Sequence, residues 1–370
     1  MATDRLGLYV HIPYCVRKCN YCDFCSLPNG RGSIPESYIE ALIKEISSYK
    51  ATPKRVLDTV YFGGGTPSLL SVFEMQRIMH SVRDSFEISP LAEITLEANP
   101  GTLTEEKARG YKALGFNRVS LGLQSIHENE MKMLGRIHNY EDFLVSFKLL
   151  REAGFDNVNV DLMYGIPYQN KDSFLETLNT VVSLSPEHIS AYGLILEEGT
   201  PLYEQRDYLP LPSLDEECDM YDLASEILHR AGYEHYEISN YAKEGKRSRH
   251  NLLYWRLADY IGVGASAHSF LDGARFYNTD DVNEYSDDSL RTKCESDVDL
   301  AFEYVMLGLR LSDGFSLSDY ERRFGKSFKT GREELLSRFE KEGLMTVSDD
   351  RIALTERGFY LSNSILVEIL

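Results

Sequence analysis

Short strand-like runs alternate with amphipathic helical stretches from the N-terminus to about residue 240, and this alternation constrains the fold of the chain more than any other feature. The strands read from the sequence are Leu8–Ile12, Thr59–Phe62, Glu93–Glu97, Arg118–Leu123, Asn157–Met163 and His188–Leu194, with a further one at Tyr233–Ile238. Helical spacing of apolar residues falls between them near 35–50, 68–84, 104–114, 140–153, 171–184 and 214–231. Start and stop residues bound several of these: Thr104 precedes Glu105 and Glu106, and that pattern ends at Leu114 and Gly115. Parallel neighbours need a long crossover between them, so strict alternation predicts an α/β fold with a parallel sheet. About six such units predict a full or partial barrel of the (β/α)6 type, with reactive side chains at the C-terminal ends of the strands.

The remaining third reads differently. Residues 241–297 hold loops, an aromatic patch and the acidic run 280–288, and are expected to be an irregular connector or a layer over the barrel mouth. From 298 to 370, helical stretches at 298–311, 317–324 and 332–342 precede the strands Leu344–Val347 and Ile352–Leu354. Three helices and a small hairpin predict a winged-helix-like α+β module. Its mixed charge, without a dominant basic face, favours packing over DNA binding.

Cys15, Cys19 and Cys22 follow the first strand at four- and three-residue intervals. This spacing can present three thiolates to one iron–sulfur cube and leave its fourth iron without a protein ligand. Structural zinc usually takes four ligands in two separated pairs, and Cys218 and Cys294 are single and distant. Disulfides fit less well, because residues 1–14 lack the basic start and long apolar run of a signal peptide. The thiols are therefore expected to be reduced and cytoplasmic, and Cys25 is expected not to be a ligand. Acidic residues outnumber basic ones by 58 to 39, a formal charge of −19 that repels phosphate backbones and anionic lipid surfaces. Nucleic acid is not an expected partner. No stretch approaches the roughly 20 apolar residues of a membrane span, so any visit to a membrane is expected to go through a partner.

Six ordered segments, together with the cysteines, resemble the radical S-adenosylmethionine (SAM) enzymes, in particular the oxygen-independent coproporphyrinogen III dehydrogenase-like group. They begin at Tyr9, Gly63, Glu97, Gly122, Leu134 and Asp161, and read YVHIPYC, GGGTP, EANP, GLQS, LGRIH and DLMYGIP. The resemblance covers nearly the whole chain. It implies a [4Fe–4S] cluster on Cys15, Cys19 and Cys22, and SAM held by Gly64, Gly65, Thr66, Glu97, Gln124, Arg136 and Asp161. Glycines lack a side chain and let a ligand approach the backbone, and Arg136 offers a planar fork to a carboxylate. Tyr9 and Tyr21 are expected to flank the cluster or pack against adenosine. The implied chemistry is reductive cleavage of the SAM sulfonium bond, with electrons from an outside donor.

Two features turn the expectation from enzyme to carrier. The oxidative decarboxylases of this group place a further cysteine two positions after the third, whereas Asp23 and Phe24 follow Cys22 here. They also carry a long N-terminal extension, whereas this motif begins at residue 15. The trio followed by Asp23-Phe24 is similar to the HemW branch, whose members are regarded as heme chaperones. His250-Asn-Leu-Leu-Tyr-Trp255 matches a pattern associated with heme in that branch, which implies His250 as an axial ligand and Tyr254 and Trp255 as an aromatic wall. His268 is a rival ligand or a packed core residue. The resemblance thus implies no catalytic residues, and heme, a heme-acceptor protein, an electron donor and a homodimer as partners. The alternative is a true oxygen-independent coproporphyrinogen III oxidase.

Overall fold

In a computed structural model, residues 6–30, 33–290, 292–296 and 298–370 of the chain are described. The expected alternation takes the form of six parallel strands: β1 (Leu6–Ile12), β2 (Val56–Gly64), β3 (Glu87–Ala98), β4 (Arg118–Gln124), β5 (Val158–Tyr164) and β6 (His188–Gly193). They lie side by side in chain order. Helices α1 (Glu36–Ser48), α2 (Val72–Ser85), α3 (Glu105–Ala113), α4 (Glu128–Met133), α5 (Tyr140–Glu152) and α6 (Lys171–Ser183) occupy the crossovers, and α7 (Leu214–Arg230) follows β6. In β1, Leu8, Val10 and Ile12 are fully buried in the main core. The intervening Tyr9 stands in register with Tyr61 of β2, and the two rings stack at 6.1 Å. Period-two alternation therefore gives each strand an apolar face and a polar, aromatic one inside the barrel.

Local chemistry starts and stops the helices where the sequence suggests. Ser71 and Glu74 form a reciprocal capping box at the start of α2, with the Glu74 N–H donating to Ser71 Oγ at 3.2 Å. Thr104 accepts from the Lys107 N–H at 3.2 Å at the start of α3.

Two expectations are corrected at the edges of the sheet. The strand expected at Tyr233–Ile238 does not continue the parallel series. It forms β7 (Glu234–Glu237), which returns at once as β8 (Asn240–Ala242), and β8 pairs antiparallel with both β7 and β6. Too few residues separate β7 from β8 for a parallel crossover. Nor is the segment 241–297 irregular. It contains α8 (Arg249–Trp255), β9 (Tyr260–Val263), β10 (His268–Leu271), β11 (Ala274–Asn278), α9 (Val282–Asp287) and β12 (Thr292–Cys294). Strand β9 lies parallel to β1 on its free side, pairing Leu8 with Ile261 and Val10 with Val263. Strands β10 to β12 extend that edge antiparallel. The sheet thus runs β12-β11-β10-β9-β1-β2-β3-β4-β5-β6-β8-β7 as an open, partial barrel.

The C-terminal module comprises α10 (Leu300–Gly308), β13 (Phe315–Ser316), α11 (Leu317–Phe324), α12 (Glu333–Lys341), β14 (Met345–Val347) and β15 (Arg351–Leu354), followed by two short helices. Its strands form a separate antiparallel sheet in the order β13-β15-β14. Val305, Phe315, Phe328, Phe339 and Ile352 build its core, which Leu257 and Phe270 join from the preceding segment. Among the described residues, no helix is long and apolar enough to cross a membrane.

Candidate functional site

The loop after β1 carries the three cysteines across the C-terminal ends of the barrel strands. It is tied down from both sides: the Asn20 N–H donates to the Leu134 carbonyl at 2.9 Å, and the Leu202 N–H donates to the Asn20 carbonyl at 3.0 Å. Cys15, Cys19 and Cys22 line one cavity of about 450 Å³, together with Tyr21, Gly64, Gly65, Thr66, Glu97, Gln124, Arg136 and Asp161. Cys25 lies outside that lining. Its thiol donates to the Asp280 carbonyl at 3.4 Å, and it faces a neighbouring cavity of about 370 Å³.

Side chains from the loops after β2, β3 and α4 connect two of the sulfurs. The Thr66 hydroxyl donates to Cys15 Sγ at 3.4 Å and accepts from Asn99 Nδ2 at 2.9 Å. Asn99 Oδ1 accepts in turn from Arg136 Nη2 at 3.1 Å, while Arg136 Nη1 lies 3.8 Å from Cys19 Sγ. The fork of Arg136 is also held by the Gly122 carbonyl, and its Nε, though buried, has no partner. An orphaned donor on a fixed guanidinium facing this cavity suits an incoming carboxylate.

Burial pushes the thiols of Cys15 and Cys22 up, so without a metal they stay protonated, and metal binding would displace those protons. Among the described residues, no group of three or more His, Cys, Asp or Glu is gathered to hold a metal ion. The three thiols do line one cavity, and that all-sulfur donor set fits a [4Fe–4S] cluster, which takes its thiolates on separate irons.

Other residues of the cavity are held firmly. Glu97 accepts from the Tyr61 hydroxyl at 2.7 Å and from the Gly64 N–H at 3.1 Å. Burial pushes its carboxyl up to about 7 and the nearby Asp161 adds to the rise, while those hydrogen bonds act against it. Asp161 accepts from Ser120 Oγ at 3.0 Å and from Asn159 Nδ2 at 2.7 Å. Gln124 ends β4 at φ 75, in the left-handed region, a strain of about 1 kcal/mol or more that the surrounding fold sustains at this cavity. Gly64 has φ 109, and a Cβ there would lie 2.5 Å from His11 Cε1; only glycine fits that turn.

Two expected site residues are not at the cavity. Tyr9 lines the neighbouring 370 Å³ cavity, with its hydroxyl on His11 Nδ1 at 2.9 Å. It lies in the middle of β1, and Phe24, Gly64 and Glu97 line this cavity and the cysteine cavity alike. His250, expected as an axial ligand, lies outside the lining of both cavities. It is 1% exposed, Nδ1 hydrogen bonds with the Thr59 hydroxyl at 2.7 Å, and Nε2 hydrogen bonds with the Tyr254 hydroxyl at 2.8 Å. Its ring stacks on Tyr61 at 5.0 Å, and burial with the nearby Arg118 cation pushes its pKa down to about 3. Both nitrogens are already used. The rival His268 is exposed rather than packed in a core, stacks on Tyr277 at 5.1 Å and lines the 370 Å³ cavity with Cys25.

Asn99 and Arg118 are cavity residues that sequence reasoning missed. Asn99 sat inside the Glu97-Ala-Asn-Pro100 segment, so a signal was present. Arg118 is 2% exposed at the start of β4, and its buried Nε has no partner.

Comparison with known proteins bears on this geometry. Residues 9–181 match the Radical SAM superfamily, and residues 296–361 match the HemN C-terminal domain. The chain is 36% identical to heme chaperone HemW of Escherichia coli, across 98% of this chain and 97% of that protein. It is 34% identical to heme chaperone HemW of Bacillus subtilis, across 96% and 97%. The chain belongs to the HemW family of the radical SAM superfamily. Coproporphyrinogen III oxidase HemN from Escherichia coli, a radical SAM enzyme, has a solved structure that matches this fold with a TM-score of 0.83. That match covers 98% of this chain and 89% of HemN at 25% identity. This chain and HemN therefore share a fold.

Proposed function

We propose that this protein is a heme chaperone that carries a [4Fe–4S] cluster with SAM and hands heme to an acceptor protein. The observation that carries this reading is similarity along nearly the whole chain to proteins named heme chaperone HemW. Cys15, Cys19 and Cys22 are the ligands assigned to the cluster, which when bound supplies an iron with an open coordination position and an electron for the sulfonium bond.

The chain's own residues set the stage for that group. Thr66, Asn99 and Arg136 form the hydrogen-bonded arc that fixes the rim, and Arg136 meets the SAM carboxylate with its spare Nε. Gly64 and Gly65 leave room at the backbone, Glu97 accepts hydrogen bonds from SAM, and Gln124 and Asp161 orient its hydroxyls. Tyr21 is partly buried and lines the side of the cavity, while Phe24 and Ile195, 69% and 68% exposed, give its mouth an apolar rim. An outside electron donor and a heme acceptor complete the partners in a cytoplasmic setting, with a membrane reached through the acceptor. A homodimer is compatible with this arrangement.

The test is anaerobic titration of the cluster-loaded protein with heme, followed by transfer to an apo-hemoprotein. A Soret band and its movement to the acceptor are expected. Conversion of coproporphyrinogen III to protoporphyrinogen well above background, with SAM and dithionite present, would instead establish the oxidase alternative.

A further inference from the structure

Each of the three thiols in the cysteine cavity has a side-chain hydrogen-bond donor turned toward its sulfur. The Thr66 hydroxyl donates to Cys15 Sγ at 3.4 Å, Arg136 Nη1 lies 3.8 Å from Cys19 Sγ, and the Ser26 hydroxyl lies 4.0 Å from Cys22 Sγ. Thr66 and Ser26 are buried, at 2% and 4% exposed. Thr66 takes the Asn99 amide on its oxygen, so its own proton is directed at the sulfur. Ser26 lines neither the cysteine cavity nor its 370 Å³ neighbour, and so meets the sulfurs from the protein side rather than from the ligand side.

Burial pushes the Cys15 thiol up, and Thr66 and Ser26 both act against that rise; at Cys22 the Phe24 N–H and Ser26 do the same. A neutral thiol is a weak acceptor, whereas an anionic acceptor draws shorter and stronger hydrogen bonds. Two buried hydroxyls and a guanidinium aimed at three sulfurs are therefore matched to the thiolate, the form in which cysteine holds metal. A ligand sulfur carries more negative charge after a cluster has gained an electron than before. Hydrogen bonds to it thus stabilise the reduced state more than the oxidised one, and raise the potential.

We propose that Ser26, Thr66 and Arg136 act through the three sulfurs to set the reduction potential of the cluster, holding it within reach of the outside electron donor. The proposal rests on the assignment of Cys15, Cys19 and Cys22 as cluster ligands. The step concerned is the passage of one electron from that electron donor to the oxidised cluster, in which no bond forms or breaks and the protons stay on the two hydroxyls and the guanidinium. Ser26 isolates the effect, because Thr66 and Arg136 also line the cavity assigned to SAM and Ser26 does not.

The experiment is a redox titration of the full-length, anaerobically reconstituted protein without SAM. Dithionite is the reductant, the reduced cluster is followed by electron paramagnetic resonance, and iron and sulfide are measured for every variant. Ser26→Ala and Thr66→Val should each move the potential to more negative values. The double variant should be at least tenfold less readily reduced, a shift of about 59 mV for one electron. Thr66→Ser keeps the hydroxyl and should stay near the unaltered protein. Water admitted by a packing defect would stabilise the more charged, reduced state and move the potential the other way, so the sign separates tuning from disruption. A double variant with full iron and sulfide content and an unchanged or higher potential would overturn the proposal. A second measurement needs no variant: the reduced, unaltered protein should show proton hyperfine couplings to the cluster that are lost on exchange into heavy water. Their absence would overturn the proposal however the variants behave. Failure of the unaltered protein to take up a cluster would overturn the ligand assignment as well.

Discussion

At the rim of the barrel Arg136 is held on two sides yet keeps a buried Nε without a partner, whereas at the floor His250 has spent both ring nitrogens on Thr59 and Tyr254. Both are side chains that bind ligands well in the abstract. The rim is built from strand ends and a loop, where groups are positioned by one or two contacts and still face a cavity. The floor is built from strand middles and α8, whose first N–H groups are taken by Glu93, with Arg249 and His250 each donating to it at 3.1 Å. Unmade hydrogen bonds distinguish a binding group from a structural one here, more than residue type does.

The largest expected effect is at the rim. Cys19→Ala should abolish cluster binding, read as loss of protein-bound iron and of the broad absorbance near 400 nm after anaerobic reconstitution, while Cys25→Ala should retain both. The reverse pattern would place Cys25 in the ligand set.

At the floor, His250→Ala removes a buried ring and its two hydrogen bonds, and should cost about 3 kcal/mol of stability, measured by urea unfolding. The same residue predicts an acid limb. Its folded pKa of about 3 lies below the ordinary value of 6.5, so its contribution is present above 6.5 and is lost as pH falls from 6.5 towards 3. Glu45 has the opposite sign. Burial raises it to about 7 despite hydrogen bonds from Tyr285, Gly264 and Asn278, so its contribution is lost as pH rises from about 4.5 through 7. Unfolding measured across pH 4 to 8 should show His250→Gln flattening the acid limb alone; an unchanged limb would contradict its assignment.

A smaller effect is expected for Arg136→Lys, which keeps the charge but loses the fork. SAM affinity should fall by about 1–2 kcal/mol, roughly five- to thirtyfold, in calorimetric titration, with cluster content unchanged. Ser71→Ala should cost only about 1 kcal/mol of stability through its helix cap, measured by urea unfolding.

The six central strands were legible because each is a run of apolar or β-branched residues bounded by turn residues. Strand β9 was not, since Tyr260–Val263 is four residues long, contains Gly262 and takes its parallel partner from the far end of the chain. The cysteine trio announced itself by spacing, and the Arg136 and Glu97 segments by their order along the chain. The surroundings of Tyr9 and His250 were not legible for a shared reason. A sequence gives the types of residue on a strand or helix, but not the depth in the barrel at which each side chain ends, nor which neighbours take its donors. Asn99 was overlooked because its part in the arc depends on contacts from β2 and from the loop after α4.

The most direct test of the account is the electron paramagnetic resonance spectrum of the reduced, anaerobically reconstituted protein with and without SAM. A [4Fe–4S] signal whose shape changes on adding SAM is predicted, because one iron is left for the nucleoside at the rim. A signal indifferent to SAM, or no cluster signal at all, would contradict it.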